Sequence, residues 1–192
     1  MGRGEGTDVN CYKTTVPWRD KEVETLADIV DHGLNILFVG LNPAPISVRQ
    51  CHYHQGRLGQ QFWNLLTRNC FKIKPPPGAF HDDLLLENDL GITDIVKTPS
   101  KSAKDLEDED IKYGIEELRR KIQKYKPKVV CSVYKSALEK LCEKKFTNQW
   151  GLLDEQIGDS TLFALPFPFR PREEVVRYMQ ELRELIGKDC HD

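Results

Sequence analysis

Long hydrophobic runs and a signal sequence are both missing from this chain. Of its 192 residues, 39% are hydrophobic and 30% are charged, and no apolar run approaches the roughly 20 residues that a membrane-spanning helix needs. Residues 1–10 are polar and glycine-rich, with no apolar stretch behind Arg3, which predicts a frayed tail and not a signal peptide. We expect an intracellular protein with no membrane partner, in the cytoplasm or nucleoid of a prokaryote.

Cysteines at metal-binding spacing are also absent. The six cysteines are scattered singly, without the C-x-x-C pair that is common in zinc and iron–sulfur sites. We therefore expect free thiols, no metal and no cofactor. The cysteines are Cys11, Cys51, Cys70, Cys131, Cys142 and Cys190.

A net positive charge is missing as well. The formal charge of -2 gives the whole protein no attraction to nucleic acid, so a DNA-binding surface would have to be local. The positive charges do cluster, at Lys97, Lys101 and Lys104 and again at Arg170 and Arg172. Such clusters are about as often solvated faces as binding sites.

Short apolar runs alternate with helical patterns along the chain. This alternation predicts a three-layer α/β/α fold with a central parallel sheet of about four strands. The length favours one domain over residues 19–192, behind a flexible tail of residues 1–18. The predicted strands span residues 35–40, 91–95, 128–133 and 161–165, and the predicted helices span residues 23–32, 60–70, 108–125, 135–145 and 172–186.

The turn after the first predicted strand, GLNP at residues 40–43, holds a candidate functional amide. Ligands of such sheets bind at the carboxyl ends of the strands, and Asn42 lies at one of them. On its own, however, Asn42 is better explained by a turn in which its side chain bonds its own backbone.

A longer pattern around this turn favours a function. Residues 40–66 (GLNPAPISVRQCHYHQGRLGQQFWNLL) resemble the first motif of the mismatch-specific uracil-DNA and thymine-DNA glycosylase branch of the uracil-DNA glycosylase superfamily. In that motif, a GINPG turn precedes an aromatic-containing loop and an FW helix. Residues 91–106, 114–130 and 165–172 resemble later segments of the same branch in the same order. The resemblance covers the chain from about Asn35 to the last helix.

The resemblance implies a monofunctional DNA glycosylase that flips a damaged or mismatched base from DNA and hydrolyses its N-glycosidic bond. It assigns Asn42 the catalytic position. Negative charge flows onto the leaving base in this reaction, so donors near the base stabilise the transition state. An amide can hold a water or donate to a base carbonyl, but it cannot abstract a proton as a carboxylate does.

The resemblance also implies which residues contact the base: Gly40, Leu41, Tyr53 and Asp94. Tyr53 lies where the family carries its stacking aromatic ring, although a one-residue shift in the alignment would give this role to His54. Relatives carry an amide or an ammonium at the position of Asp94. A carboxylate there would favour a ring N–H or an exocyclic amine, and a cap at the strand end is an equal alternative.

Other aromatic and histidine residues of this region have simpler explanations. Phe62 and Trp63 are expected in the core, on the apolar face of their helix. A metal site is a weaker alternative, because the candidate ligands match no closed zinc spacing. Those candidate ligands are Cys51, His52, His54 and His81.

The expected partner is DNA carrying a damaged or mismatched base, bound by a monomer. Arg170 is the first candidate for the side chain that fills the place of the flipped base, and Phe169 is the second. Alternatively, the phenylalanines of this loop pack beneath it and Arg170 contacts a phosphate. The residues expected to bind DNA are Lys97, Ser100, Lys101, Phe169, Arg170 and Arg172.

Two functions of other classes remain open at this point. One is a catalytically weak or inactive nucleic-acid-binding module of the same fold. The presence of Asn42 at the position that the resemblance makes catalytic argues against this alternative. The other is a flavodoxin-like nucleotide-binding protein. No glycine-rich phosphate loop follows the first strand, and Pro43 and Pro45 remove N–H donors that a phosphate would need. The preferred lesion is left open by the sequence.

Overall fold

Seven strands form two sheets in the part of the chain that the computed structural model describes, residues 10–69, 71, 73–167 and 170–187. A separate hairpin pairs β1 with β2, and the central sheet has the order β4-β3-β5-β7-β6. Four strands of the central sheet are parallel, and β6 runs antiparallel to β7. The strands are β1 (Lys13–Trp18), β2 (Lys21–Leu26), β3 (Ile36–Gly40), β4 (Leu90–Asp94), β5 (Val129–Ser132), β6 (Gly151–Ile157) and β7 (Ser160–Ala164).

Five α-helices occur within the described residues. They are α1 (Pro45–Arg49), α2 (Arg57–Asn69), α3 (Asp108–Tyr125), α4 (Lys135–Cys142) and α5 (Arg172–Leu185), and short 3-10 turns cover His81–Leu84, Leu86–Asn88 and Ala103–Asp105. The last four helices agree with the predicted ones to within a few residues. Among these described helices, none is both long and apolar enough to cross a bilayer.

The central strands divide the apolar residues between two cores. On β3, Ile36 and Phe38 pack with residues of α2 and α5, whereas Leu37 and Val39 pack with residues of α3 and α4. Every residue of β3, β4 and β5 is buried, as expected when helices cover both faces of a parallel sheet. The predicted three-layer fold with about four parallel strands is confirmed, with one antiparallel edge strand added.

The hairpin replaces two predicted features. The helix expected over residues 23–32 is wrong, since β2 occupies its beginning, and the tail expected over residues 1–18 does not extend through β1. Burial along β2 alternates, and Val16 pairs with Val23 across the hairpin. Cross-strand pairing of β-branched residues here outweighs an apolar spacing that fits a helix equally well.

The turn of the hairpin docks on the first turn of α3. Arg19 donates to Glu107 Oε2 and to Asp110 Oδ1, each at 3.0 Å. The ring of Trp18 meets that of Tyr113 edge-on, with centroids 4.8 Å apart. Carboxylates at a helix N-terminus also interact favourably with the helix dipole. Two carboxylates at the start of α3 therefore anchor the hairpin.

A disulfide joins the start of the hairpin region to the turn after α1. It links Cys11 to Cys51, whose Cα atoms are 4.7 Å apart. The prediction of free thiols is therefore wrong for this pair, because the fold brings together two residues that lie 40 positions apart in the chain. Of the other cysteines, Cys131 and Cys142 are free, and Cys70 and Cys190 lie outside the described residues.

Helix α3 approaches the central sheet closely at Gly114. A Cβ atom at this position would lie 2.2 Å from the carbonyl oxygen of Ile95, a backbone atom just beyond β4. Gly114→Ala is therefore expected to lower the free energy of unfolding by about 1–3 kcal/mol, the usual cost of overpacking, even though alanine favours a helix. Denaturation with urea measures the change.

Lys112→Ala is the matched control, because Lys112 is exposed on the same helix. It should change the free energy of unfolding by less than about 0.5 kcal/mol. A Gly114→Ala variant as stable as the wild type would contradict the close packing of α3 on the sheet.

Candidate active site

A cavity of about 430 Å³ opens where β3 and β4 end. Asn42 and Asp94 line it from the two strand ends, Tyr53 and His54 from the turn after α1, and Arg57 from the start of α2. This is the carboxyl edge of the sheet, where ligands of such folds bind. The structure therefore brings three of the predicted site residues, Asn42, Tyr53 and Asp94, into one cavity.

The loops that follow β3 and β4 are joined by backbone hydrogen bonds. Val96 N donates to Leu41 O at 2.8 Å, and Ser100 N donates to Pro43 O at 3.2 Å. The parallel pairing thus continues beyond the strands. Both loops are held at fixed positions over the cavity.

Oxygen atoms of these loops hold the amide of Asn42. Its Nδ2 lies 3.1 Å from Ser100 Oγ, 3.3 Å from Ser100 O and 3.2 Å from Pro43 O. Carbonyl oxygens only accept hydrogen bonds, so the NH₂ group must face the loop. Among the described residues, none donates to Oδ1. The amide oxygen of Asn42 is therefore available to a water or ligand, and a turn bonded to its own backbone explains only the contact with Pro43.

The hydroxyl group of Ser100, which was predicted to bind a phosphate, is hydrogen-bonded within its own loop and to Asn42. This hydroxyl donates to Ser102 O at 2.7 Å while its Oγ accepts from Asn42. The hydroxyl hydrogen is thus already in use. In this arrangement Ser100 orients the amide of Asn42, and the predicted contact with DNA phosphate is not supported.

Asp94, the last residue of β4, places a buried carboxyl group in the cavity. It is 3% exposed, and no described residue donates a hydrogen bond to its carboxyl oxygens. Burial raises the pKa of Asp94 to about 7, although the nearby ammonium of Lys97 opposes this rise. A substantial fraction of the molecules therefore carries a protonated Asp94 near neutral pH. The alternative of a strand-end cap is not supported, since the carboxyl group accepts from no backbone N–H in the part of the chain that the structure describes.

Gly40 and Leu41, both predicted to contact the base, differ in their environment. A Cβ atom on Gly40 would lie 2.2 Å from Asp94 Oδ1, so glycine is needed for the carboxyl group to occupy its place. Leu41 packs against the core on the side of α3 and α4. Successive side chains of an extended chain point in opposite directions, so a base contact by the Leu41 side chain is not expected.

Tyr53 is a fixed part of the cavity wall. It is 1% exposed, and its hydroxyl donates to Ala27 O at 3.0 Å. Its backbone N–H donates to Asp82 Oδ2 at 2.7 Å, and its carbonyl accepts from Trp63 Nε1 at 3.1 Å. Burial raises the pKa of Tyr53 well above its usual value. The side chain is therefore neutral and held in place.

His54, the other candidate for a stacking ring, lines the same cavity. Its backbone has a left-handed φ of 59°, and its ring centroid lies 4.8 Å from that of Phe62 and 5.5 Å from that of Trp63. Burial lowers the pKa of His54 to about 4, so the imidazole is uncharged at neutral pH. Phe62 and Trp63 are themselves buried, which confirms their predicted place in the core.

The histidines and the cysteine weighed as metal ligands have other partners. His52 Nδ1 lies 3.0 Å from Asp82 Oδ1, and its ring stacks on Phe80 with centroids 3.6 Å apart. Cys51 is in the disulfide, and the ring of His81 stacks on an indole. These side chains serve the local packing of the turn after α1.

Within the described residues, one group of side chains has atoms close enough to share a metal ion. The ligand atoms of His52, Asp82 and Asp83 lie within 4.8 Å of one another. However, both carboxyl oxygens of Asp82 already have hydrogen-bond partners, His52 Nδ1 and the backbone N–H of Tyr53. The group is therefore explained as a structural network that holds the cavity wall.

Lys97 is buried. The prediction that it contacts a DNA phosphate is therefore wrong. The residue is 5% exposed, and its Nζ lies 2.6 Å from Asp28 Oδ1 and 3.0 Å from Leu26 O. The side chain turns inward because Asp28, on the segment between β2 and β3, supplies a counter-charge. Lys97 cannot reach DNA phosphate from this position.

Arg170 and Arg172 line a second cavity of about 350 Å³, between α2 and the start of α5. Both are exposed, and the amides of Gln61 and Asn64 line the same groove. Phe167 is buried beneath it. This position agrees with the alternative interpretation, in which the phenylalanines of this loop pack beneath it. Of the remaining predicted DNA contacts, Lys101 is exposed and Phe169 lies outside the described residues.

Sequence reasoning missed several residues around the first cavity. Leu26 and Arg57 line it, while Asp28 and Lys121 pair beneath it. Arg57 directly follows a glycine in the motif region, which is a weak signal. The other three come from distant parts of the chain, and nothing in their local sequence distinguishes them.

The model of the family described as the uracil DNA glycosylase superfamily matches residues 27–173. The match includes both strand ends that line the cavity, whereas β1 and β2 precede it. The mostly parallel sheet with helices on both faces is consistent with the fold of that family. Since the match spans most of the chain and contains Asn42 and Asp94, the chain belongs to the uracil DNA glycosylase superfamily.

Proposed function

We propose that this chain is a monofunctional DNA glycosylase that hydrolyses the N-glycosidic bond of uracil, or of a related damaged or mismatched base, after the base is flipped from DNA. DNA glycosylase activity is typical of its superfamily. The observation that carries the proposal is that Asn42 and Asp94 line one cavity and that no described residue donates to the amide oxygen or to the carboxyl group. The resemblance of residues 40–66 supports the mismatch-specific branch.

The first cavity suits a flipped base. Its volume of about 430 Å³ lies within the range of roughly 300–1,000 Å³ that is common for small-ligand sites. Its wall combines apolar and aromatic side chains with a few polar groups, which is the composition that holds a flat ring and fixes its orientation. Tyr53 and His54 supply the rings.

Asn42 supports hydrolysis by positioning water. With its NH₂ group held by the loop, its Oδ1 can accept from a water that attacks the sugar carbon as the bond to the base breaks. An amide cannot remove the proton of that water. We therefore infer a modest catalyst, in which stabilisation of the departing base contributes much of the rate enhancement.

Asp94 supports departure of the base. In its protonated form the carboxyl group can donate to a base oxygen on which negative charge develops, and its other oxygen can accept from a ring N–H. Its burial and its lack of a partner favour this form near neutral pH. A carboxylate at the same place would instead repel the departing anion.

DNA binding rests on exposed cations near the two cavities. Arg170 and Arg172 lie at the start of α5, where backbone N–H groups also favour phosphate, and Lys101 is exposed on the loop after β4. Arg57 lines the first cavity from the start of α2. In this proposal a monomer binds the duplex, and Arg170 fills the place of the flipped base.

Asn42→Ala is expected to lower the rate of base release from a uracil-containing oligonucleotide at least about a hundredfold, the scale of removing one group that acts in the transition state. Affinity for the oligonucleotide should change little, because the side chain is not part of the core. Single-turnover kinetics and gel retention measure the two quantities. Gln149→Ala, at an exposed position, is the control.

A wild-type rate in Asn42→Ala would refute the catalytic assignment. Retention of the oligonucleotide without any base release by the wild-type protein would instead support a catalytically inactive nucleic-acid-binding module.

Asp94→Asn is expected to change the order of preference among substrates, because an amide cannot alternate between acid and carboxylate. The panel comprises uracil, thymine opposite guanine, hypoxanthine and an alkylated base, each in the same duplex. Asp159→Asn, in an exposed turn, is the control. An equal loss on all four substrates would show that Asp94 does not determine which base is preferred.

Arg170→Ala is expected to slow uracil release from duplex DNA far more than from a single strand, where no base stack is broken. Arg177→Ala, an exposed arginine on α5, is the matched control for lost charge. Phe169→Ala tests the second candidate in the same way. A similar loss on both substrates, with a shallower salt dependence, would indicate a phosphate contact only.

A further inference from the structure

Next to the first cavity, one carboxylate is shared by two ammonium groups, of which that of Lys97 is buried and that of Lys121 is partly exposed. Asp28 Oδ1 lies 2.6 Å from Lys97 Nζ, and Asp28 Oδ2 lies 2.7 Å from Lys121 Nζ. The three groups come from the segment after β2, the loop after β4 and the face of α3. We call Asp28, Lys97 and Lys121 the charge cluster. Its two cations and one anion leave an excess of one positive charge.

The charge cluster is connected to the cavity through its neighbours. Lys97 Nζ also donates to the carbonyl of Leu26, which lines the cavity. Lys121 Nζ donates at 3.0 Å to the hydroxyl of Thr93, and that hydroxyl donates to Asp28. Thr93 directly precedes Asp94 on β4, so the cluster contacts the backbone of one cavity-lining residue, Leu26, and the side chain next to another, Asp94.

Asp94 is the group on which the charge cluster acts. Its carboxyl group is 3% exposed and accepts no hydrogen bond from the described residues, so nearby charges and burial determine whether it is ionised. Lys97 and Lys121 favour its carboxylate, whereas burial and Asp28 favour its acid form. The other titratable side chains that line the cavity with it are Tyr53, His54 and Arg57.

We propose that the charge cluster is a positioning unit that sets the charge state of Asp94, and thereby the pH range in which the enzyme releases a base. The proposal rests on the proposed glycosylase function. It assigns Lys97, Lys121 and Asp28 no contact with the substrate. They act through Asp94, which donates its proton in a hydrogen bond to the departing base and is inactive as a carboxylate.

The two signs of charge in the cluster give opposite consequences. Removing the ammonium of Lys97 takes away a charge that favours the carboxylate form of Asp94, while the negative charge of Asp28, which disfavours that form, remains. Removing the charge of Asp28 leaves two cations, both of which favour the carboxylate form of Asp94. Release of uracil should fall as pH rises through the pKa of Asp94, which is about 7 in the wild type. The midpoint of this fall should therefore move up in the first variant and down in the second.

The experiment measures single-turnover release of uracil between pH 5 and pH 9 in Lys97→Met and Asp28→Asn. We expect midpoints about one pH unit above and below that of the wild type, the scale of one nearby charge. Lys97→Arg keeps the charge and should retain the wild-type midpoint. Lys112→Met, exposed on α3, controls for loss of a lysine outside the cluster.

A second readout does not depend on catalysis. The ¹³C chemical shift of the Asp94 carboxyl carbon, followed by NMR during a pH titration of DNA-free protein, should move in the same two directions. Thermal unfolding shows whether each variant is folded. If Lys97→Met does not fold, Lys121→Met replaces it with the same expected direction.

The proposal would be overturned if the midpoints of the two variants moved in the same direction or did not move. It would also be overturned if uracil release increased as Asp94 lost its proton. Opposite NMR shifts without any uracil release would support the cluster's effect on Asp94 and contradict the proposed glycosylase function instead.

Discussion

The parallel pairing of β3 with β4 determines where the site lies and which groups it contains. Their register places Gly40 beside Asp94, and the bond from Ile95 N to Gly40 O carries the pairing into the loops. The amide of Asn42 and the carboxyl group of Asp94 thus leave the sheet at the same edge. A shift of one residue would turn Asp94 to the other face, and the cavity would lose its acid.

Local patterns predict the elements whose environment is local. The apolar runs identify the parallel strands, and residues 108–125 combine an acidic first turn with helical periodicity, so α3 could be placed from the sequence. The hairpin could not, because the spacing of apolar residues in 23–32 suits a helix as well. Asn42 and Asp94 could be proposed because they lie at strand ends within segments that resemble the family. The inward turn of Lys97 depends on Asp28, 69 positions away, and no local pattern shows that pairing.

Several cations of the protein pair with its own carboxylates. Lys97 and Lys121 neutralise Asp28, and Arg19 holds the hairpin against α3. The charge available to DNA is therefore smaller than the count of basic residues indicates. With a net charge of -2, attraction of a polyanion such as DNA would have to come from local groups of exposed arginines and lysines and not from the protein as a whole.

The hairpin of β1 and β2 precedes the segment matched by the family, yet it ends at the cavity. Leu26 lines the cavity, and Ala27, one residue further on, accepts the hydroxyl of Tyr53. The wall of the cavity is thus encoded in part by a segment that carries neither Asn42 nor Asp94. A change in the hairpin would therefore alter the shape of the cavity and leave the turn at Asn42 unchanged.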